Sequence, residues 1–380
     1  MDISYILNIL GEDRGDYSNA VSPPIFQTSN FAFKTVEEFR KAVKDEQHIP
    51  IYTRGNNPTT EIVRKKIAAL EGTDDCLIFS SGVAAIASTI FNSVKSGDHV
   101  ICVQNPYSWT EYLLKNIFPK FGVTTTFTDG RQIENITNAI QQNTKLIFLE
   151  SPNTFWFDLQ DIEAICAIAR SKNILTAIDN SYCSPLYQQP HLLGVDLVCH
   201  TATKYLAGHS DVVSGVVCGS KEKIADIFKN EFMAFGAVPS PHDAWLLLRG
   251  LRTLPLRLDK SAGSAEKIIN HFEHHPKIER VIHPYHHSHP QFELAKKQMK
   301  RGGGLFAMML KTEDVKKVEQ FCDHLERFLL AVSWGGYESL VFPACIKESD
   351  AYPVGFVRLY AGLEDADVLI KDIEQALEYV

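Results

Sequence analysis

From about residue 60 onward the hydrophobic pattern alternates between two periods. Helix-spaced apolar positions run over residues 61–70, 83–94, 109–118, 133–140 and 162–170. Between them lie short continuous apolar runs at 75–79, 99–103, 123–127, 146–149, 174–178 and 195–198. Strands covered on both faces need apolar residues at consecutive positions, so this alternation predicts an α/β fold with a mostly parallel sheet between layers of helices. Ligands in such folds sit at the carboxyl ends of the strands. After Pro239-Ser240-Pro241 the pattern shifts to a helix over 242–258 ending in an Arg-rich turn, then to long helices with strands at 305–310 and 356–360. Residues 1–50 carry a short helical pattern, the stretch Val21-Ser22-Pro23-Pro24 and a helix candidate near 36–43, with no core of their own. The expected organisation is an N-terminal arm (1–50) that packs elsewhere on the protein or on another subunit, an α/β domain (51–241) and a smaller α+β C-terminal domain (242–380).

Composition narrows the function classes. Of 380 residues, 45% are hydrophobic and 22% charged, enough for a large core. A formal charge of -8, from 38 basic and 46 acidic residues, argues against a general nucleic-acid binder. Eight cysteines at 76, 102, 166, 183, 199, 218, 322 and 345 form no CxxC pair and sit mostly in apolar runs, which fits reduced thiols. The first residues lack a basic region and a cleavage site, and no apolar run approaches the ~20 residues needed to cross a bilayer. A soluble, cytoplasmic protein without membrane contact is expected. Seven of the 14 histidines fall between His271 and His289. Prolines interrupt them and no cysteine or acidic pair completes a tetrahedral set, so a solvated turn and no metal are expected.

Two strand ends carry the candidate chemistry. Ala177-Ile178-Asp179-Asn180 places an acid at one, and Thr201-Ala202-Thr203-Lys204-Tyr205 places a lysine after the next. A buried lysine loses its charge readily and becomes a nucleophile or base, and the two threonine hydroxyls suit an anionic ligand group. Taken alone, Asp179 reads equally well as a helix cap and Lys204 as part of a surface turn. Ser80-Ser81-Gly82-Val83 lies between a strand and a helix, where free N–H groups face an anion. GxGxxG is absent, and Gly302-Gly303-Gly304 precedes a strand, which disfavours a dinucleotide site. Tyr52 and Arg54, two apart on an extended segment, project the same way and can reach one phosphate, or belong to a polar loop. Tyr107, just past a strand, suits stacking on a planar ring or core packing.

Read together, these stretches resemble a known family. Tyr52-Thr-Arg54-Gly-Asn-Asn57-Pro58-Thr59, Ser80-Ser-Gly82, Glu150-Ser-Pro152, Asp179-Asn180 and Thr201-Ala-Thr203-Lys204-Tyr205-Leu-Ala-Gly208-His209-Ser-Asp211 occur in the order of the Cys/Met-metabolism PLP enzymes, the cystathionine γ-synthase, γ-lyase and β-lyase relatives. Arg249-Gly-Leu-Arg252, Ser333-Trp334-Gly-Gly-Tyr337-Glu338-Ser339 and Arg358-Leu-Tyr-Ala-Gly362 extend the resemblance over nearly the whole chain. It implies PLP fold type I, the aspartate-aminotransferase-like architecture, with pyridoxal 5'-phosphate as cofactor. Lys204 is similar to the lysine that holds the cofactor and moves protons, and Asp179 to the acid facing the ring nitrogen. Ser81, Gly82, Val83, Thr201 and Thr203 resemble the phosphate cradle, and Tyr107 the ring-stacking tyrosine. Tyr52 and Arg54 are similar to a pair reaching the phosphate from a neighbouring subunit, which implies at least a dimer and commonly a tetramer. Arg358 resembles the clamp for the substrate α-carboxylate, with Ser333, Trp334 and Glu338 as further substrate-binding residues.

Within that family the Ser333-Trp334-Gly-Gly-Tyr337-Glu-Ser run resembles the cystathionine β-lyase form, as does Glu150-Ser-Pro-Asn-Thr-Phe-Trp-Phe. The loop Tyr52-Thr-Arg-Gly-Asn-Asn-Pro-Thr is nearer the γ-type. The expectation is β-elimination of cystathionine or cysteine conjugates to a thiol, pyruvate and ammonia. The alternative is γ-replacement or γ-elimination. A PLP-fold regulator with little catalysis is disfavoured, since no basic DNA-reading helix or added domain is present.

Overall fold

In the computed structural model, which describes residues 1–346 and 352–380, twelve strands form two sheets. The strands of the first are β1 (Asp75–Phe79), β2 (His99–Val103), β3 (Thr124–Thr128), β4 (Thr144–Glu150), β5 (Leu175–Asp179), β6 (Leu197–His200) and β7 (Gly215–Gly219). They lie in the order β1-β7-β6-β5-β4-β2-β3, parallel from β6 through β3, with β7 antiparallel to both of its neighbours. The second sheet orders β10 (Leu329–Leu330), β11 (Leu340–Pro343), β12 (Phe356–Tyr360), β9 (Leu305–Leu310) and β8 (Ile278–Ile282) in that sequence.

The continuous apolar runs have a simple cause. Along β1, Cys76 and Ile78 enter the core on one face of the sheet, while Leu77 and Phe79 enter the core on the other. Ile147 and Leu149 of β4 face one way and Leu146 and Phe148 the other, and β2, β6 and β7 divide likewise. Each strand residue is thus covered whichever way its side chain points. A third cluster, around Phe306, Phe321 and Val357, fills the space behind the second sheet.

Four points differ from expectation. β7 reads weakly in sequence because glycines bound it, yet a Cβ on Gly215 would lie 2.2 Å from the Ser81 carbonyl oxygen. That glycine lets the strand approach the turn before the helix Gly82–Ser93. The helix expected over 242–258 is two, Pro241–Arg252 and Leu254–Phe272, because Pro255 can only start a new one. The expected Arg-rich turn is the last turn of the first of these, which carries Arg249 and Arg252; Arg252 pairs with Glu12, and Arg257 of the second helix donates to the Tyr205 and Gly250 carbonyls. The histidine segment is not simply solvated, since His283, His286 and His289 are buried. The helix expected over 109–118 is α-helical only at Ser108–Tyr112, then widens and ends at a turn containing Pro119.

The arm docks on its own chain through one buried cation. Lys66 Nζ donates to the carbonyls of Ile6 (2.8 Å) and Leu7 (3.1 Å) and lies 3.0 Å from Glu12 Oε1. Farther along, Val21, Val36 and Val43 remain exposed. Among the described residues, no helix is long and apolar enough to cross a membrane. Breaking a buried pair costs about 3–5 kcal/mol. Because Arg252 still offsets Glu12, Lys66→Met is expected near the low end, with amide exchange at Ile6, Ile9 and Leu10 accelerated roughly a hundredfold. Unchanged exchange there would show that the lysine does not hold the arm.

Candidate active site

A cleft of about 280 Å³ opens at the carboxyl ends of the parallel strands, bounded on its far side by the second sheet. Asp179 ends β5 directly beside Glu150, which ends β4. Two carboxylates on adjacent strand ends repel each other, and what separates them is the positive charge near Asp179. Ser181 donates to Asp179 Oδ1 from both its amide (2.9 Å) and its hydroxyl (2.5 Å), and Lys204 adds positive charge. Burial and the Asp179 charge push Glu150 up to about 8. Burial raises Asp179 as well, but each acid accepts hydrogen bonds and the Lys204 charge favours the Asp179 anion, whereas Glu150 faces the Asp179 charge, so the pair's proton rests on Glu150. Glu150 also accepts from the Tyr107 amide (2.6 Å) and the Thr154 hydroxyl (2.5 Å), which fixes the start of the next helical segment.

Lys204 sits in a turn after β6, its amide bonded to the Thr201 carbonyl and its own carbonyl to the Gly208 amide. A Cβ on Gly208, where φ is +68°, would collide with the Arg257 guanidinium that clamps this turn. Lys204 Nζ donates to Ser333 Oγ at 2.5 Å and lies 5.5 Å from the centre of the Trp334 ring. Trp334 is itself buried edge-on against Tyr205. Ser333 holds φ +84°, an uncommon conformation for a non-glycine residue and a strain typical of functional positions. Burial, then the Arg358 charge, lowers Lys204 to about 8, against the opposing pull of Asp179.

Arg358, on the buried strand β12, has its guanidinium 4.7 Å from the Phe155 ring centre and 5.3 Å from that of Phe342. Burial lowers it to about 10 against the opposing pull of Tyr352, and no carboxylate among the described residues contributes to holding its charge. A cation kept on aromatic faces, with no carboxylate partner among the described residues, is a ready receptor for one.

These side chains bear directly on the cofactor implied by the motifs. Among the described residues, no hydrogen bond falls on Asp179 Oδ2, which leaves that oxygen for a cationic ring N–H. Ser81 caps the helix Gly82–Ser93 through Ala84, so the first amides of that helix, at Gly82 and Val83, have no partner within it. A Cβ on Gly82 would lie 2.2 Å from Thr201 Oγ1, so the glycine lets Thr201 close against this helix end. The set fits a ring cation at one end and a phosphate at the other.

The predicted residues do not all meet. Tyr107, Asp179, Thr201, Lys204, Ser333, Trp334 and Arg358 line the cleft together. Ser81, Gly82 and Val83 stand behind Thr201 at the helix end. Thr203 is turned to structure, its hydroxyl donating to the Ser214 carbonyl and accepting from the Ser214 amide. Glu338 lies outside the cleft, held by Ser210 Oγ with its Oε2 buried and without a partner. Tyr52 and Arg54 also lie outside it, the guanidinium 5.9 Å from the tyrosine ring and the ring half-exposed. Glu150, Ser181 and Phe155 line the cleft without having been singled out as site residues. The available signal was Glu150 at a strand end one strand over from Asp179.

A family profile described as Cys/Met metabolism PLP-dependent enzyme matches residues 7–378, and the chain belongs to that family, with pyridoxal phosphate as its cofactor. Among its relatives, L-methionine gamma-lyase of Pseudomonas deceptionensis is 40% identical over 95% of this chain and 93% of its own. Cystathionine beta-lyase of Lactococcus lactis subsp. cremoris is 35% identical over 95% of each. The crystal structure of metB from Corynebacterium glutamicum superposes with a TM-score of 0.93 at 34% identity, covering 100% of this chain and 98% of that one. The fold is therefore the PLP-dependent fold type I, as the motifs implied. The class of activity, a lyase of sulfur amino acids, follows from the family.

The lowered Lys204 can be tested without the cofactor. An amine near 8 is mostly cationic at pH 7 and mostly free base at pH 9, whereas an ordinary lysine is still charged there. Competitive acetylation of the apoprotein, read by mass spectrometry of the Lys204 peptide, is expected to reach half-maximum near pH 8. Arg358→Gln removes a repelling cation and is expected to move that midpoint upward. A midpoint at the ordinary lysine value would contradict the assignment.

Proposed function

We propose that this enzyme is a carbon–sulfur lyase whose preferred reaction is β-elimination, acting on cystathionine or a similar cysteine thioether to release a thiol, pyruvate and ammonia. The observation that carries the reading is the confinement of Lys204 Nζ between Ser333 Oγ and the Trp334 ring, inside the cleft that Arg358 closes. When bound, pyridoxal phosphate supplies the electron sink for the pair left at Cα. Arg358 takes the substrate α-carboxylate in a two-pronged bond and so sets the substrate's direction. Lys204, whose free base is accessible because its burial lowers it, removes the Cα proton. Asp179, kept anionic by Ser181, faces the ring nitrogen and holds a proton there. Tyr107, raised by burial and by Asp179 and Glu150, keeps its phenolic proton while its ring covers the cleft. β-Elimination asks only this one carbon-bound proton of the enzyme. γ-Chemistry asks the base to travel on and take a proton from Cβ, and a lysine held on one side by a hydroxyl and on the other by an indole is poorly placed for that.

A second reading, γ-elimination of methionine, is supported by the 40% identity to the relative named L-methionine gamma-lyase. The products separate the two. Purified holoenzyme given cystathionine is expected to yield pyruvate, with 2-oxobutyrate a minor product, and methionine is expected to be turned over at least about tenfold less efficiently. Methionine turnover matching or exceeding that of cystathionine overturns the β reading in favour of the second.

Tyr52 and Arg54 complete the proposal as contributors to a neighbouring subunit's site, a role their position outside their own cleft supports. Lys204→Ala and Arg54→Ala are each expected to lose about a thousandfold or more in turnover. Mixed oligomers reassembled from the two variants regain activity, because some clefts then carry both wild-type residues. No recovery on mixing would mean that each chain builds its cleft alone.

A further inference from the structure

The histidine-rich segment brings together a group unconnected with the cleft. Glu273 caps the end of the helix Leu254–Phe272, and His286 and His287 lie in the turn after β8. One carboxylate oxygen and one nitrogen from each ring lie within 4.8 Å of one another. His287 Nε2 is 3.0 Å from Glu273 Oε1, His286 Nε2 is 3.9 Å from Glu273 Oε2, and the two rings are 4.2 Å apart. Ligand bonds of ~2.0–2.1 Å around a tetrahedral ion place ligand atoms about 3.3 Å apart, so small rotations of existing side chains close the set.

A second feature points to a ligand at this group. His286 is only 7% exposed, and its Nε2 is buried with no hydrogen-bond partner among the described residues. A buried polar nitrogen left unsatisfied costs about 1–3 kcal/mol, which a folded protein normally avoids. The other nitrogen, Nδ1, is 2.8 Å from Ser288 Oγ, with the Ser288 amide at the outer limit of 3.5 Å. When Nδ1–H donates to that hydroxyl, the lone pair of Nε2 is left in the group with Glu273 and His287, the arrangement in which an outer partner orients a metal-bound imidazole.

We propose that Glu273, His286 and His287 form a binding site for a zinc-class divalent ion, with water in the fourth position. Two imidazoles and one carboxylate suit first-row ions such as Zn²⁺ over Mg²⁺ or Ca²⁺, which prefer all-oxygen sets. None of the three residues lines the catalytic cleft, so the ion is structural: it clips the turn carrying His286 to the end of the helix that carries Glu273. An acidic pair is not needed to complete the set: one carboxylate suffices, and Glu273 supplies it from the segment before β8 while the histidines follow that strand.

Isothermal titration of chelator-treated holoenzyme with Zn²⁺ tests the site, and it does not depend on which sulfur substrate the enzyme prefers. One saturable site per chain is expected in the wild type. Glu273→Gln and His287→Ala, both at the surface side of the group, are each expected to weaken it at least about tenfold while leaving lyase turnover unchanged. His242→Ala, an exposed histidine elsewhere, leaves it intact. Zn²⁺ is also expected to raise the melting temperature of the wild type and not of the two variants, a readout that survives modest destabilisation. No saturable binding, or binding that neither substitution weakens, overturns the proposal.

Discussion

Everything at the cleft depends on keeping one carboxylate charged beside another at the ends of two buried strands. β4 and β5 run parallel and in register, so Glu150 and Asp179 arrive side by side where burial raises both. The Lys204 charge tips the balance toward an anionic Asp179. Ser181 gives Asp179 two hydrogen bonds, and its hydroxyl in turn accepts from the Thr201 amide (2.6 Å), tying the acid to the turn that carries Lys204. The charge on Asp179 partly offsets the cost of burying Lys204, while Arg358 opposes it. The lysine is thereby left as a base near neutrality rather than as a fixed cation. Asp179 and Arg358 thus pull Lys204 in opposite directions, and altering either shifts the base.

The framework around that system is built for close approach. Gly82 admits Thr201, Gly208 admits the Arg257 guanidinium, Gly215 admits the Ser81 carbonyl, and Gly335 stands where a side chain would strike the Lys204 backbone. Each brings a segment of the site against its neighbour. The second sheet contributes the remaining wall: β12 carries Arg358, and the turn before β11 carries Ser333 and Trp334. The cleft thus lies between the two sheets, with Arg358, Ser333 and Trp334 on the C-terminal side and Asp179 and Lys204 on the other.

Most of the architecture was legible because two-sided burial writes continuous apolar runs into β1, β2, β4, β5 and β6. β7 was not, because its ends are glycines whose job is approach rather than packing, and nothing in a hydrophobic period reports that. The break at Thr253 was missed for a related reason: the apolar spacing continues across it, and only Pro255 marks the new start. At the site, Asp179, Lys204, Tyr107, Thr201, Ser333, Trp334 and Arg358 were found and do converge. Glu150 escaped because an acid at a strand end reads as a cap until its neighbour is known. Thr203 and Glu338 carry the right chemistry in a favourable run, but the Thr203 hydroxyl bonds Ser214, and Glu338 stands outside the cleft beside Ser210. The charge-sharing between strand ends is a property of register, which a single chain does not display.

The central claim is that Lys204 is the base at Cα and is confined there. Proton exchange in D₂O measures this directly, using the holoenzyme and L-norvaline, an amino acid with no leaving group. The account predicts exchange of the Cα proton with the Cβ protons retained, and loss of exchange in Lys204→Ala. Exchange at Cβ as fast as at Cα, or Cα exchange persisting in the variant, would contradict it.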